Sequence, residues 1–247
     1  MRSRLDKLLA NAGYGSRRDV KRLLRSGAVT VAGERALDPA REVDPETEPV
    51  EVAGSPAPVG QSHYLMMNKP AGVVTSTDDP VNETVMSLLR APWSAMALFP
   101  VGRLDLDTEG LLVLTDDGPL THRLTSPRSG VDKTYYVELR DPVSDADLPL
   151  FVELFRSGVA FRDGYVCLPA RLARAALPRP GVDPARAVEV TIQEGKHHQV
   201  KKMMKVIGNE VAYLKRVAMG ELSLDPALAS GEYRELSADE VAALRSV

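Results

Sequence analysis

A segment rich in proline and small residues divides this chain of 247 residues into a short first part and a longer second part. Residues 54–62 show neither the apolar period of a helix nor that of a strand, which is typical of a linker. The apolar fraction of 44% is sufficient for a large buried core. We therefore predict one domain over residues 1–53 and a second over residues 63–247.

The second part contains strand and helix patterns in irregular order. Strands are predicted near residues 64–68, 97–101, 111–115, 134–139, 165–168, 187–193 and 211–218, and helices near 84–90, 118–125, 145–156, 197–207 and 238–245. Residues 176–184 are rich in proline and predict a long surface loop. This order favours an α+β domain, with a largely antiparallel mixed sheet and flanking helices, over a doubly wound sheet.

The charges are unevenly distributed, although the net charge is only −3. Residues 1–25 contain eight basic and two acidic residues, whereas residues 26–62 contain two basic and seven acidic ones. Residues 195–216 again are basic, with six basic residues and one acidic residue. Two basic segments of this kind are what the binding of phosphate groups needs.

The first basic segment has the pattern of an amphipathic helix. Ser16 is suited to cap its beginning, and Gly27 is suited to follow its end. On a helix, five basic side chains share one arc opposite the apolar ones: Arg17, Arg18, Lys21, Arg22 and Arg25. Asp19 is the only acidic residue in this segment, which favours contact with RNA or DNA over an ordinary solvated surface.

The order of elements in the first part is itself informative. Two helices, the second of them basic, precede a short strand at residues 28–31 and a turn at residues 32–34. Together with the sequences of residues 4–9, 15–18 and 23–31, this arrangement resembles the S4-type RNA-binding domain. The resemblance covers residues 2 to about 50 and implies RNA binding, with Arg4 and the basic helix as contacts, but no chemistry.

Carboxylates, an arginine and two glycines are concentrated in residues 102–110, directly before an apolar run that predicts a buried strand. Acidic groups are usually solvated, so their position beside a core strand indicates a site. Asp105, Asp107 and Glu109 match the first half of a calcium-binding loop, but Asp116 replaces the bidentate glutamate and a strand follows instead of a helix. Calcium is therefore disfavoured, and Asp107 and Glu109 fit turn capping.

Five motifs of the second part occur in a recognisable order: residues 65–72, 102–105, 133–135, 194–203 and 214–220. They resemble the motifs of pseudouridine synthases and, behind an S4-like domain, those of the RsuA/RluB-type branch that modifies ribosomal RNA. Residues 76–80, 124–128 and 231–234 look most like the small-subunit (16S) enzyme of this branch. The 23S rRNA enzymes of the same branch and a non-catalytic rRNA-binding or ribosome-assembly protein remain alternatives.

This resemblance implies isomerisation of one uridine to pseudouridine in 16S ribosomal RNA. Asp105 would be the nucleophile on a flipped uridine, attacking uracil C6 or ribose C1′. Tyr135 would stack on the uracil, and Lys201 would pair with Asp105 and keep it ionised, although a lysine cannot pair in the bidentate way of an arginine. Arg103 would fill the space of the flipped base or bind a phosphate. Two further RNA contacts are expected: Lys202 and Arg216.

The isomerisation needs no redox cofactor or energy donor, and neither a Walker loop nor a dinucleotide fingerprint is present in the sequence. We predict no cofactor and no metal, since His197 and His198 lack further ligands at suitable spacing. Cys167 is expected to be a buried structural thiol, and no run of 18 apolar residues occurs. We expect a cytoplasmic monomer without membrane contact, bound to 16S rRNA or to a partly assembled small subunit.

Overall fold

The computed structural model describes residues 2–60 and 62–246 of the chain. Its first part consists of short elements, in chain order β1 (Ser3–Arg4), α1 (Leu5–Asn11), α2 (Arg17–Arg25), β2 (Val29–Val31), β3 (Glu34–Arg35), β4 (Glu42–Val43), β5 (Val50–Val52) and β6 (Ser55–Pro56). Four strands form a sheet in the order β3-β2-β5-β6, and β1 pairs with β4. Both helices pack their apolar side chains on a core of their own, shared with β2 and β5.

The basic helix α2 begins and ends where the sequence predicts. The Ser16 side chain accepts a hydrogen bond from the backbone of Asp19, whose carboxylate accepts one from the backbone of Ser16. This reciprocal capping satisfies two backbone donors at the start of the helix, and Gly27, with φ of 73°, follows its end. Val20 and Leu24 are buried, while the predicted basic arc is exposed.

Part of the predicted linker is a strand. Ala53 and Gly54 have φ of 51° and 79°, and they form the tight turn between β5 and β6. Pro56 needs no backbone donor because β6 lies at the edge of the sheet. The sheet of the first part therefore extends to Pro56, and residues 55–56 do not belong to the linker predicted over residues 54–62.

The second part is built on one large sheet. Its elements are β7 (Tyr64–Lys69), β8 (Phe99–Pro100), β9 (Glu109–Thr115), α3 (Gly118–Thr125), β10 (Lys133–Leu139), α4 (Leu148–Ser157), β11 (Arg171–Arg174), β12 (Ala187–Ile192), α5 (Gln199–Val206), β13 (Val211–Met219), β14 (Leu222–Ser223), β15 (Tyr233–Glu235) and α6 (Ala238–Arg245). Short 3₁₀ turns occur at Val85–Leu88, Trp93–Ala95, Pro127–Ser129 and Pro184–Arg186. The strand order is β11-β12-β10-β13-β9-β7-β15, with β14 on β13 and β8 on β9.

The architecture confirms the predicted α+β class with a mixed, largely antiparallel sheet. Among the strand pairs of the described residues, only β9 and β13 run parallel. Helices cover both faces, so β9 is buried on both sides and reads as a continuous apolar run. Leu112 and Leu114 pack on the face that carries α4 and α5, whereas Leu111 and Val113 pack on the face that carries α3 and α6.

Some local predictions differ from the structure. Residues 165–168 form no strand, because the amide of Leu168 donates to the buried carboxylate of Glu194 and that of Tyr165 donates to Asp163, and only one isolated bridge is made, by Val166. The helix predicted near residues 84–90 is a 3₁₀ turn, and β11, with an arginine at each end, was not predicted.

Two further predictions concern Cys167 and the membrane. Cys167 is a buried free thiol, as expected, and burial raises its pKa to about 11. Within residues 2–60 and 62–246, the helices are too short or too polar to cross a membrane.

Gly110 makes the parallel pairing of β9 and β13 possible. It lies opposite Arg216, and a Cβ atom at this position would collide with the carbonyl oxygen of Arg216. Its φ of 102° is also one that other residues rarely adopt. The close approach of the two strands therefore depends on a glycine at this position.

We expect Gly110→Ala to lower the free energy of unfolding by more than about 2 kcal/mol, because backbone strain and a steric collision act together. Urea denaturation followed by the fluorescence of the single tryptophan, Trp93, reports on this part of the chain. Gly164→Ala is the matched control, since Gly164 has φ of 85° but open space around it; its cost should be about 1 kcal/mol. Equal costs for the two variants would contradict the steric explanation.

Candidate active site

The loop between β8 and β9 carries Asp105, and hydrogen bonds fix its backbone on both sides of that residue. Before it, the Thr75 hydroxyl donates to the carbonyl oxygen of Leu104 at 2.9 Å and accepts from the Leu104 amide at 3.2 Å. After it, the amide of Thr108 donates to the carbonyl oxygen of Asp105, and the amide of Gly72 donates to that of Leu106. The loop therefore presents Asp105 from a fixed main chain.

A buried lysine lies beneath this loop. The Lys69 ammonium is fully buried and donates to three loop carbonyl oxygens, those of Asp105 at 3.2 Å, Leu106 at 3.5 Å and Thr108 at 2.9 Å, and to that of Pro70 at 2.9 Å. Burial lowers the pKa of Lys69 to about 8. A buried cation needs compensating dipoles, and these carbonyl groups provide them, so the ammonium ties the loop to the end of β7.

Lys201 joins two carboxylates of the loop. Its ammonium on α5 lies 3.1 Å from Oδ2 of Asp105 and 2.5 Å from Oδ1 of Asp107. Burial opposes the charge of Lys201, but the hydrogen bonds to Asp107 and Asp105 outweigh it and raise the pKa of the lysine. Likewise, burial opposes the charge of Asp107, but the bond from Lys201 outweighs it and lowers the pKa of Asp107. The structure thus brings the predicted pair Asp105 and Lys201 together and adds Asp107, which the sequence pattern assigned to turn capping.

His198 approaches the same carboxylate from the other side. Its Nε2 atom lies 3.6 Å from Oδ1 of Asp105, directly before α5, where its backbone adopts φ of 54°. The ring stacks on that of His197, with 3.8 Å between the ring centres. In the part of the chain that the structure describes, no three histidine, cysteine or carboxylate side chains are arranged as a metal site. From sequence, both histidines were weighed only as metal ligands, so the place of His198 beside Asp105 was missed.

These groups line an open cleft of about 410 Å³, including its solvent-filled mouth. Asp105, His198 and Lys201 form its polar side, and Tyr135 on β10 lies in its wall with only 8% of its surface exposed. The Tyr135 hydroxyl makes no hydrogen bond to any described residue, so it can meet a ligand. Tyr136 lies on the opposite face of the sheet, where its hydroxyl donates to Glu138.

The predicted RNA contacts outside this cluster occupy different positions. Arg103 is exposed at the cleft and has no ion pair within residues 2–60 and 62–246. Lys202 lies outside the Asp105 cluster, with its ammonium 5.5 Å from the centre of the Phe161 ring. Arg4 is half exposed and pairs with Asp6 at 2.7 Å.

On α2, Arg22 pairs with Asp19. The remaining basic side chains of the helix are exposed and without an ion pair to any described residue: Arg17, Arg18, Lys21 and Arg25.

Arg216 contradicts its prediction as an RNA contact. Only 2% of it is exposed, and its Nε atom donates to the carbonyl oxygen of Leu111 at 2.8 Å. The reason is its position on β13, between β10 and β9, where the side chain enters the core. One of its terminal nitrogens has no partner among the described residues. A motif match does not show which face of a strand a residue occupies.

Comparisons with known proteins identify the family of the chain. Residues 63–163 match the family model of RNA pseudouridylate synthase, and residues 3–48 match that of the S4 domain. The chain is 48% identical over 238 residues to the uncharacterized RNA pseudouridine synthase YtzG of Bacillus subtilis, covering 96% of each protein. It is 40% identical over 244 residues to the ribosomal small subunit pseudouridine synthase A of Escherichia coli K12, covering 98% of this chain and 99% of that one.

A solved structure leads to the same family. The crystal structure of a pseudouridylate synthase matches 98% of this chain with a TM-score of 0.66 and 34% sequence identity, and 99% of that chain is covered. Both resemblances found in the sequence are therefore confirmed. The chain belongs to the RNA pseudouridine synthases, as an isomerase of the RsuA/RluB type with an N-terminal S4 domain.

Proposed function

We propose that this enzyme isomerises one specific uridine of 16S ribosomal RNA, with Asp105 as the nucleophile. The observation that carries the proposal is the Asp105 carboxylate, held by Lys201 at 3.1 Å and open to a cleft whose wall contains Tyr135. The choice of RNA is supported by relatives of about 40% identity, which are named as small-subunit pseudouridine synthases.

The surroundings of Asp105 suit nucleophilic attack. Its side chain is 29% exposed, so it is accessible but not freely solvated. Lys201 bonds to one oxygen of the carboxylate, the group that would act as the nucleophile, and orients it in the cleft. The other oxygen faces His198 at a longer distance and can reach a substrate. Because the backbone is fixed by Lys69 and Thr75, little freedom is lost when the reacting atoms meet.

The reaction is balanced without a cofactor. The carboxylate adds to uracil C6 or to ribose C1′, and the N1–C1′ bond breaks. The uracil turns, C5 bonds to C1′, C5 loses its proton, N1 gains one, and the bond to Asp105 is released. Tyr135 offers a ring on which the flipped uracil stacks and an unbonded hydroxyl that can take part in removing the C5 proton.

The S4 domain and the rim of the cleft bind the RNA. Four exposed basic side chains of α2 have no ion pair within the described residues, so they are available to phosphates: Arg17, Arg18, Lys21 and Arg25. Arg103 is similarly unpaired beside the cleft, where it can bind a phosphate or fill the place of the flipped base. The substrate is 16S rRNA, free or in a partly assembled small subunit.

Chemical mapping of pseudouridine in ribosomal RNA tests the assignment. In cells that lack the gene, one 16S uridine should remain unmodified, and the wild-type gene should restore its modification. Loss of a 23S site instead would assign the enzyme to the sister group that acts on the large subunit. Unchanged maps of both RNAs would contradict the proposal.

Asp105→Asn tests the nucleophile. We expect kcat to fall at least about 10³-fold, because an amide of the same shape cannot form the covalent bond, while the Kd for RNA stays within about threefold. Asp107→Asn is the matched control: it also removes one carboxylate from Lys201, but we expect less than about a tenfold loss of kcat. If Asp105→Asn keeps more than a tenth of the activity, another residue is the nucleophile.

The basic arc of α2 should govern the salt dependence of RNA binding. Replacing Arg18 and Lys21 together by glutamine should reduce the slope of log Kd against log salt concentration by about 1 to 2, because each phosphate contact releases close to one counterion. Titrations over a range of roughly 50 to 200 mM salt measure the slope. Arg22→Gln should have a smaller effect, since Asp19 already pairs with Arg22. An unchanged slope in the double variant would exclude α2 as the RNA contact.

Lys69 should make catalysis sensitive to alkaline pH. Its pKa of about 8 means that the ammonium loses its proton as the pH rises through this value, and the neutral amine holds the loop carbonyls less strongly. Single-turnover rates should therefore decline above about pH 8. Lys69→Met should be at least about tenfold slower and should lack this decline. A wild-type rate that stays constant through this range, or a fully active Lys69→Met variant, would contradict the role of the charge.

A further inference from the structure

A surface beside the cleft combines aromatic, apolar and cationic side chains that the reaction itself does not use. It consists of Tyr165, Val166, Leu168, Lys196 and Lys202, which lie over the buried ring of Phe161, and we call it the rim platform. Lys196 connects it to the site, because this residue lines the cleft and its ammonium lies 4.8 Å from the centre of the Tyr165 ring. The platform therefore begins where the pocket for the reacting nucleotide ends.

A buried carboxylate holds the platform in place. Glu194, only 2% exposed, accepts hydrogen bonds from the Tyr165 hydroxyl, from the amide of Leu168 at 2.9 Å and from the side chain of Gln199 at 2.7 Å. Gln199 is the first residue of α5, the helix that carries Lys201. The same glutamate thus fixes the position of the platform relative to the cluster around Asp105.

The surface chemistry of the platform points to an unpaired nucleotide. Val166 and Leu168 are 57% and 42% exposed, although water does not favour apolar side chains. The rings of Tyr165 and Phe161 lie 6.1 Å apart, and the ammonium groups of Lys196 and Lys202 lie near them. Proteins bind single-stranded nucleic acid with aromatic rings and neighbouring cations, because the ring stacks on a base and the cation binds a phosphate.

We propose that the rim platform binds the nucleotide directly next to the target uridine, with its base stacked on Tyr165 and its phosphate on Lys196. This inference rests on the proposed function, because it assumes that a uridine of an RNA strand enters the cleft. When that uridine flips out, its neighbour loses a stacking partner. A platform at the mouth of the cleft can replace that partner, and the phosphate offers Lys196 a stronger interaction than the ring does.

The test combines a change in the protein with a change in the RNA. KM is measured on 16S rRNA that is intact, or that carries an abasic site directly 5′ or directly 3′ of the mapped uridine. Tyr165→Leu should raise KM on intact RNA about tenfold. An abasic site on one of the two sides should raise the KM of the wild-type enzyme by a similar factor. On that same RNA, Tyr165→Leu should add less than about twofold, because both changes remove one interaction.

Two variants separate stacking from structural effects. Tyr165→Phe keeps the ring and loses the bond to Glu194, so its KM should stay within about twofold of the wild-type value. Tyr233→Leu is the matched control, since the hydroxyl of this tyrosine is also hydrogen-bonded, accepting from the amide of Arg90, but the residue lies on β15 at the far edge of the sheet. Its KM should not change.

Three results would overturn the inference. The KM of Tyr165→Leu on intact RNA could change less than twofold, or Tyr165→Phe and Tyr165→Leu could raise KM equally. The third is that the increase in KM caused by Tyr165→Leu is the same on both abasic RNAs as on intact RNA. Failure of the proposed function gives a different result, because the wild-type enzyme would then form no pseudouridine in intact 16S rRNA.

Discussion

The contact between the buried ammonium of Lys69 and the carbonyl oxygens of the Asp105 loop is the interaction on which the site depends. A carboxylate that must attack a single atom cannot lie on a loop that moves. The fully buried lysine makes the loop adopt one conformation, because any other would leave the cation without its dipoles. The two side chains therefore have different requirements. Asp105, which reacts, is accessible, whereas Lys69, which restrains the loop, is completely enclosed.

The charged side chains at the cleft show the same division between the group that reacts and the groups that hold it in place. Lys201 is shared by two carboxylates, Asp105 and Asp107, and only the former lines the cleft beside Tyr135. Since a lysine is a point charge with rotatable donors, it can serve both oxygens without the fixed plane of an arginine. Asp107 limits where the ammonium can lie, and His198 borders the free oxygen of Asp105. Of the two side chains that approach the Asp105 carboxylate, His198 and Lys201, only Lys201 is bonded to it.

Much of the fold could be predicted because its signals are local. The basic helix follows from Ser16 and Gly27 at its ends, and β9 follows from its uninterrupted apolar run. Residues 165–168 show the opposite case, since the amide of Leu168 donates to Glu194, a partner distant in sequence, instead of to a neighbouring strand.

The same distinction between local and distant signals explains which parts of the site could be predicted from the sequence. The pairing of Asp105 with Lys201 could be predicted only through the family resemblance, since 96 residues separate them. The burial of Arg216 depends on which face of β13 meets the core, and the role of Lys69 depends on which way its side chain leaves β7, a strand that is buried on both faces. A continuous apolar pattern gives no period from which to determine that direction.

The parallel pairing of β9 and β13 explains how residues distant in sequence come together. Asp105 precedes β9 and Lys201 precedes β13, and because these neighbouring strands run in the same direction, the segments before them lie at the same end of the sheet. The register of Gly110 against Arg216 thus brings the segments of the carboxylate and the ammonium to the same end of the sheet, although 96 residues separate them along the chain. Covalent continuity between the two halves of the pair is therefore dispensable in principle. A chain interrupted in the exposed proline-rich loop at residues 176–184 would keep Asp105 on one fragment and Lys201 on the other, and reassembly of the sheet would restore the site.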